Sequence, residues 1–298
     1  MMQEKDQLSI LIPVYNANCV NLVRQLQQQA VQAGIDYEII VADDASPLRA
    51  AVEPNQAINS MSHCRFVTKE CNTGSAATRN FLAHESRYRW LLFVDCDIEI
   101  ADSRFISRYL SVLQGDVVSG GIAIGGDATA LQSCLRYRYE RHEAPNHSAA
   151  MRQQRPYRSF RSVNFIIRRD VMLACPFDER FKRSGYEDVL LGKRLHEQGF
   201  TICHIDNPVV MTDYEANSDY VVKTERSLHT LHEFRDDLRG YSRLLTFADG
   251  IHIGAVKSAL RLGHRLFGAA IRHNLCGRHP SLRLFTLYKI GYYLNIKD

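Results

Sequence analysis

Short apolar runs alternate with segments of helical spacing along roughly the first two-thirds of the chain. The runs are rich in Val, Ile and Leu, and the segments between them repeat apolar residues every three or four positions. Strands that alternate with helices favour an α/β architecture with a mostly parallel sheet flanked by helices. The predicted strands cover residues 8–14, 37–42, 64–69, 90–95, 116–124, 162–169 and 200–205.

The same pattern predicts helices over 22–30, 74–84, 187–199 and 219–238. Residues 133–161 depart from it, because they are rich in Arg and Tyr and contain two prolines. They predict a helix followed by a long loop, and a loop of that length in a compact domain is usually functional or disordered.

Polar residues follow the first four predicted strands at the point where each strand ends. In open α/β sheets, ligands bind at the carboxyl ends of the strands. Each group has a simpler interpretation when taken alone, since strand-end aspartates often cap the next helix. Together they predict one cleft, to which four strand ends contribute Pro13 and Asn16, Asp43 and Asp44, Asn72 and Gly74, and Asp95 and Asp97.

The order of these motifs resembles that of the family-2 glycosyltransferases, which have the GT-A nucleotide-sugar fold. The shared segments are PVYN, EIIVADDAS, NTGSAATRN, LLFVDCD and GYEDVLLGKRL, within about residues 8–238. The resemblance implies an inverting enzyme that moves a sugar from a nucleotide diphosphate sugar, usually uridine-linked, to a hydroxyl of a glycan or polyprenyl-linked acceptor. Bacterial relatives of this type build cell-envelope polysaccharide.

The resemblance also implies a domain division and a role for each motif. Residues 1–240 would form the catalytic domain, with a nucleotide-binding half at 1–125 and an acceptor half at 126–240, and 241–298 would be a basic helical extension. The donor would be bound by Pro13, Asn16, Asp43, Asp44, Asn72, Gly74, Arg79 and Asp95. Asp97, with Asp95, would hold Mg²⁺ or Mn²⁺, since carboxylate oxygens suit these ions.

The proton of the acceptor hydroxyl needs a carboxylate within hydrogen-bond reach. By the same resemblance Asp188 is this base, with Glu187 as its supporting neighbour. Asn164 and Tyr186 would contribute to the donor or acceptor pocket.

One departure from the family pattern concerns the metal. Relatives often carry a further histidine ligand where this sequence has Met211, and a thioether suits Mg²⁺ or Mn²⁺ poorly. Asp213 or water would then complete the ion's shell. His204 lies too early for that role, on an apolar strand, and is interpreted as structural.

Charge is distributed unevenly along the chain. Residues 241–298 contain nine Lys or Arg and two Asp, whereas the chain as a whole has a net charge of only +4. A basic stretch with apolar residues on one face over 253–271 can lie on an anionic membrane surface, although it can equally pack against the catalytic domain. The acidic remainder argues against nucleic acid as a partner.

Eight cysteines are scattered singly, without C-x-x-C spacing. They suggest neither a disulfide framework nor a zinc site. This composition predicts a cytoplasmic protein, or one attached to the inner face of the cytoplasmic membrane.

Three other classes compete with the transferase interpretation. A haloacid-dehalogenase-type phosphatase also places Asp-x-Asp after a strand, but normally after the first strand of its core. A sugar nucleotidyltransferase needs a Gly-rich basic loop after strand one, which PVYNANCVN does not provide. A non-catalytic membrane-binding module leaves the paired acids unexplained.

Overall fold

A seven-stranded mixed sheet lies at the centre of the computed structural model, which describes residues 7–182 and 185–297. Its strand order is β3-β2-β1-β4-β7-β5-β8, and a separate parallel pair joins β6 to β9. Within the main sheet only β7 runs antiparallel to its neighbours among the described strands. The strands are β1 Gln7–Val14, β2 Asp36–Asp43, β3 Cys64–Thr68, β4 Trp90–Val94, β5 Val117–Ser119, β6 Ile122–Ile124, β7 Asn164–Arg168, β8 Ile202–His204 and β9 Val209–Met211.

Helices cover both faces of this sheet, as the sequence pattern predicts. They are α1 Val20–Gln32, α2 Arg49–Val52, α3 Ser75–Glu85, α4 Phe105–Ser111, α5 Leu135–Glu143, α6 Ala149–Gln153, α7 Arg169–Ala174, α8 Glu187–Glu197, α9 Asn217–Glu233, α10 Arg243–Gly250, α11 Gly254–Cys276 and α12 Leu282–Asn295. Short 3₁₀ helices lie at Glu53–Ser60 and Ala144–His147. The predicted α/β class, with helices at the carboxyl end of the chain, is confirmed.

Two apolar cores form because successive strand residues point to opposite faces of the sheet. On β1, Ile10 and Ile12 pack with α1 and α4, whereas Leu11 packs with α3 and α8 on the other side. These side chains are fully buried. The central strands are therefore apolar on both faces, and polar groups are left at their ends.

The single strand predicted over 116–124 is wrong, because the chain forms two strands there. β5 joins the main sheet and β6 pairs with β9. Between them Gly121 adopts φ +85°, a left-handed conformation that few residues other than glycine tolerate. The Gly120–Gly121 pair thus redirects the chain between the two sheets.

The helix predicted at the start of 133–161 is present as α5, whereas the long loop predicted after it is wrong, because the 3₁₀ helix at Ala144–His147 and α6 interrupt it. The hydroxyl of Ser148 accepts a hydrogen bond from the amide of Met151 and caps α6. The buried guanidinium of Arg152 donates to the carbonyls of Ser119, Gly120 and Ile205, which fixes α6 against β8.

His204 is structural, as predicted. Its ring is buried, its Nδ1 lies 2.7 Å from the guanidinium of Arg152, and its Nε2 lies 2.9 Å from the carbonyl of Pro156. Burial lowers the pKa of His204 to about 4, so the ring is neutral at pH 7.

The carboxyl-terminal helices pack on the rest of the chain through one face. Leu245, Tyr293 and Leu294 belong to the main core, and Ile271 and Leu275 of α11 pack with α9 and α12 in a third cluster. The domain boundary at residue 240 stays a prediction. None of the helices among the described residues combines the length and apolarity needed to cross a membrane.

Candidate active site

A cleft of about 1090 Å³ opens at the carboxyl ends of β1 and β4. From β1 the chain continues to β2 and β3 on one side, and it later returns to place β4 on the other side. Open α/β sheets bind ligands at such a switch point. Twelve of the predicted site residues border this cleft: Pro13, Asn16, Asp44, Asn72, Gly74, Arg79, Asp95, Asp97, Glu187, Asp188, Met211 and Asp213.

Asp43, Asn164 and Tyr186 are not among the described residues that border the cleft. The carboxylate of Asp43 is buried and accepts hydrogen bonds from the hydroxyl and amide of Ser46. Ser46 in turn accepts from the amide of Asn16, so Asp43 shapes the strand ends from behind. The predicted contact of Asp43 with the donor finds no support in this geometry, because both carboxylate oxygens bind Ser46.

Asn164 and Tyr186 also have structural positions. Asn164 is fully buried, where it accepts from the hydroxyl of Tyr109 and donates to the carbonyls of Gly121 and Asn207. Tyr186 precedes α8 with φ +70° and packs against the main core. Both residues fix backbone close to the cleft.

Asp44 joins the second and third strand ends. Its carboxylate accepts from the amides of Thr73 and Gly74 at 3.0 and 2.8 Å and pairs with Lys69 at 2.8 Å. These hydrogen bonds lower the pKa of Asp44 even though its burial opposes ionisation. An ionised Asp44 thus anchors the loop that leads into α3.

Arg79 lies between the two acidic motifs. Its guanidinium, on α3, contacts Asp95 at 2.7 Å and Glu187 at 3.5 Å, and it lies over the ring of Phe177. Arg79 is buried, so its charge is compensated chiefly by these two carboxylates. In the structure Arg79 is an internal cation that joins Asp95 to Glu187 on α8 and also borders the cleft, and its predicted contact with the donor stays a prediction.

Glu187 is held by its neighbours on both carboxylate oxygens. Oε1 accepts from the hydroxyl of Ser75 and Oε2 from the amide of Gly185, in addition to the ion pair with Arg79. Gly185 adopts φ +115°, which glycine alone tolerates readily, and a β-carbon there would lie 2.9 Å from the hydroxyl of Ser227. This backbone places α8 with its first residues at the cleft.

Asp188 is the acid of this pair with the freer carboxylate. Its carboxylate accepts a hydrogen bond from the adjacent amide of Val189 at 2.8 Å. Burial, followed by repulsion from Glu187, raises the pKa of Asp188 to about 6. A carboxylate with a pKa near the working pH, directed into a cleft, is suited to accept a proton.

Asp97 is exposed in the cleft, and its carboxylate has no ion-pair or hydrogen-bond partner within the described part of the chain. Asp95 has one oxygen bound to Arg79, and burial raises its pKa. Carboxylate oxygens suit a hard divalent cation, and the exposed Asp213 also borders the cleft. Among the described residues no three His, Cys, Asp or Glu side chains are placed to hold a metal ion together, so an ion at Asp95 and Asp97 would need water or substrate oxygens to complete its shell.

Met211 ends β9 at the cleft, with its backbone carbonyl bound to the amide of Gly125 and the hydroxyl of Tyr214. Its thioether leaves the family's histidine position without a hard ligand. Asp213, two residues further along, is the nearest replacement in sequence and also borders the cleft.

Five cations beyond residue 125 also border the cleft, and the sequence-based prediction did not include them. They are Arg136, Arg161, Lys182, Lys223 and Arg226. Arg136 pairs with Glu215, and Arg161 lies 3.6 Å from Glu140. The Arg-rich composition of 133–161 was the available signal, but no motif showed which of its cations face the cleft.

Comparison with known proteins agrees with this geometry. The chain matches the sequence model of Glycosyl transferase family 2 over residues 9–175. It is 36% identical over 92 residues to an uncharacterized glycosyltransferase of Haemophilus influenzae, covering 30% of this chain and 29% of the relative. A second uncharacterized glycosyltransferase of the same organism is 28% identical over 111 residues, covering 37% and 44%. The chain thus spans less than half the length of these curated relatives.

Two solved structures are similar in fold. A mannosyltransferase from Pyrobaculum calidifontis, in complex with GDP-Man and Mn²⁺, has a TM-score of 0.57 and 13% identity, covering 96% of this chain and 84% of that one. TarS 1-349 from S. aureus, in complex with UDP-GlcNAc, has a TM-score of 0.50 and 15% identity, covering 96% and 89%.

The mixed sheet and its switch-point cleft belong to the GT-A fold. The chain belongs to glycosyl transferase family 2, whose model covers more than half of it. Membership of this family excludes the three other classes considered above, namely a phosphatase, a sugar nucleotidyltransferase and a non-catalytic membrane-binding module.

Proposed function

We propose that the protein is an inverting glycosyltransferase that uses a nucleotide diphosphate sugar, uridine-linked, and transfers the sugar to a hydroxyl of a glycan or polyprenyl-linked acceptor. The observation that carries this proposal is the meeting of two acids in one cleft: the unpartnered Asp97 at the end of β4 and the freer carboxylate of Asp188 on α8. The nucleotide sugars in the two similar structures support the donor class. Polysaccharide synthesis for the cell envelope is the corresponding pathway class.

Asp97 and Asp95, with Asp213 as the further candidate, would hold Mg²⁺ or Mn²⁺. When bound, such an ion neutralises charge that develops on a leaving diphosphate. Arg79 keeps Asp95 in place through the 2.7 Å contact, whereas no described side chain holds the carboxylate of Asp97.

Asp188 accepts the proton of the acceptor hydroxyl as that oxygen forms a bond to the anomeric carbon. The bond from the anomeric carbon to the diphosphate oxygen breaks on the opposite face, and its electron pair leaves with the nucleotide. Configuration is inverted because one displacement occurs. Glu187, held by Ser75, Gly185 and Arg79, positions the first turn of α8 and so the carboxylate of its neighbour.

Binding of the nucleotide tests the first half of this proposal. Titration calorimetry with uridine diphosphate and Mn²⁺ should show saturable binding, and EDTA or Asp97→Asn should weaken it at least severalfold. Asp36→Asn is the matched control, since Asp36 is an exposed acid at the amino end of β2, away from the cleft. Binding that is unaffected by both EDTA and Asp97→Asn would contradict the metal assignment.

The outer face of α11 supports the further proposal that the protein lies on an anionic membrane surface. It presents a stripe of exposed apolar side chains along the helix: Val256, Leu262, Leu266 and Phe267. Arg261 and Arg265 lie on another side of α11, where their guanidinium groups donate to the carbonyl of Leu294 and to the side chain of Asn295. Exposed apolar side chains on a segment with nine Lys or Arg and two Asp fit the interface of an anionic bilayer.

A further inference from the structure

A second pocket, of about 770 Å³, lies on the other side of α5 from the candidate active site. α5 contributes Arg136 and Glu140 to the cleft and Tyr137, Arg138 and Arg141 to this pocket. The helix is therefore a shared wall, and its diameter of about 10 Å sets the separation of the two sites.

The second pocket is strongly basic. Arg138 and Arg141 border it from α5, and Arg278 and His279 border it from the turn between α11 and α12. No acidic side chain is among the described residues that line it, and within the same part of the chain no ion pair neutralises the three guanidinium groups. A cavity with several uncompensated arginines attracts an anion, and guanidinium groups match phosphate oxygens in geometry.

The walls of this pocket are fixed by two asparagines. Asn217, at the start of α9, donates to the carbonyls of Ser133 and Gly277 at 2.8 and 3.0 Å and accepts from the amide of Leu135 at 2.7 Å. One side chain thus connects the α5 wall to the turn that carries Arg278. Asn274 holds the other end of that turn through the amide of Ser281 and the carbonyl of His279.

Apart from Gln132, the remaining lining is small, hydroxylic or apolar, and includes Thr129, Ser133 and Leu282 beside the ring of Tyr137. Hydroxyl groups donate to phosphate oxygens, and the apolar side chains accommodate the organic group that carries the phosphate.

We infer that this pocket binds the phosphate or diphosphate group of an anionic acceptor, whose sugar hydroxyl reaches the cleft around α5. The identification of this ligand as an acceptor rests on the proposed function, whereas the binding of phosphate does not depend on it. The phosphate can be that of a lipid carrier or that of a soluble phosphorylated glycan.

Inorganic phosphate is the probe, titrated into the full chain by calorimetry in the presence of EDTA. Arg138→Gln and Arg278→Gln should each raise the Kd for phosphate by about tenfold, because each removes a charge-assisted hydrogen bond. Arg283→Gln is the matched control, since Arg283 is an exposed arginine near the pocket that does not line it. Thermal melting of all variants establishes that they are folded.

Three outcomes would overturn the inference: wild-type protein that does not bind phosphate, an equal effect of Arg283→Gln, or complete competition by uridine diphosphate with Mn²⁺. The competition result would place phosphate in the cleft. Failure of the proposed function has a different signature, namely absent nucleotide binding with phosphate binding retained.

The two sources of phosphate are separated by a second pair of ligands. Glucose 1-phosphate that binds with the same dependence on Arg138 and Arg278 supports a soluble phosphorylated acceptor. Vesicles containing phosphatidylglycerol, whose sedimentation with the protein falls in these variants and not in Arg283→Gln, support a lipid phosphate. If Arg138→Gln and Arg278→Gln weaken neither the binding of glucose 1-phosphate nor the sedimentation with vesicles, the pocket is not a phosphate site.

Discussion

Replacement of Asp188 by Asn removes the carboxylate assigned to proton transfer while it keeps the size of the side chain. Asn retains an oxygen that can accept from the amide of Val189, so the start of α8 keeps its local contact. We expect donor turnover to fall by at least about a hundredfold, the lower end of what a positioned general base contributes. Nucleotide binding should be unchanged.

The raised pKa of Asp188 gives a pH dependence to the same step. A base with a pKa of about 6 is ionised to about one tenth at pH 5, so kcat/KM should fall about tenfold between its plateau and pH 5. An aspartate with its ordinary pKa of 3.8 would remain almost fully ionised there. A flat profile between pH 5 and 7 would refute the assignment of Asp188 as a base with a raised pKa.

The substitution should also stabilise the protein at neutral pH. A carboxyl group with a higher pKa in the folded state favours folding when it is protonated, and this contribution disappears as the pH rises through about 6. At about 1.4 kcal/mol per tenfold change, the shift from 3.8 to about 6 lowers the free energy of unfolding at pH 7 by up to about 3 kcal/mol. Asp188→Asn should therefore raise Tm by several degrees at pH 7, at about 2–4 °C per kcal/mol.

Calorimetric melting at pH 7 and pH 4 measures this effect, and hydrolysis of the donor measures turnover. The gain in Tm should shrink at pH 4, where Asp188 is protonated in the wild-type protein. Asp36→Asn should change neither turnover nor melting, since Asp36 is exposed. A variant that keeps wild-type turnover, or one that melts lower than wild type at pH 7, contradicts the reasoning.

Three further perturbations follow from named contacts. Arg79→Met leaves Asp95 and Glu187 without their shared cation, and we expect a loss of about 3–5 kcal/mol in the free energy of unfolding together with weaker Mn²⁺-dependent nucleotide binding; denaturation and calorimetry that match wild type would rule out the bridging role. Leu266→Glu should reduce co-sedimentation with phosphatidylglycerol vesicles, whereas Val31→Glu on α1 should not, although the two side chains are 65% and 63% exposed; equal effects would contradict the α11 surface. His204→Gln should flatten the loss of stability between about pH 6.5 and pH 4, because the wild-type ring resists protonation in the folded state; an unchanged slope in acid unfolding would show that other groups control it.

The sheet and the position of the cleft follow from the sequence because they depend on local patterns. Apolar runs such as Leu91–Val94 predict buried strands by themselves, and polar residues at their ends indicate the edge where a ligand binds. The sequence pattern alone predicts β1 to β4, and the family resemblance predicts that Asp97 and Asp188 border one cleft.

The role of Arg79 could not be predicted, because it depends on contacts between residues far apart in sequence. Asp95 and Glu187 lie 16 and 108 positions from Arg79, and the sequence alone does not show that both reach one guanidinium. The two short helices that follow α5 were missed for a related reason. They are stabilised by buried contacts such as those of Arg152 with the backbone of the β5–β6 connection, rather than by apolar periodicity.

Asp43 and Asp44 illustrate a different limit. Neighbouring residues at a strand end point in different directions, and the direction depends on the turn that follows. Here Ser46 binds the carboxylate of Asp43 from behind the strand ends, and Asp44 therefore borders the cleft. Because Asp43 and Asp44 are adjacent and identical, the sequence does not show which of them borders the cleft.

The central claim is that this cleft uses a divalent cation and Asp188 to break the bond between a sugar and a nucleoside diphosphate. Release of nucleoside diphosphate from a panel of nucleotide sugars, with Mn²⁺ and with EDTA, tests it most directly. The account predicts release from at least one donor with Mn²⁺, and its loss with EDTA, with Asp97→Asn and with Asp188→Asn. No release from any donor, or release that persists in EDTA and in both variants, would contradict it.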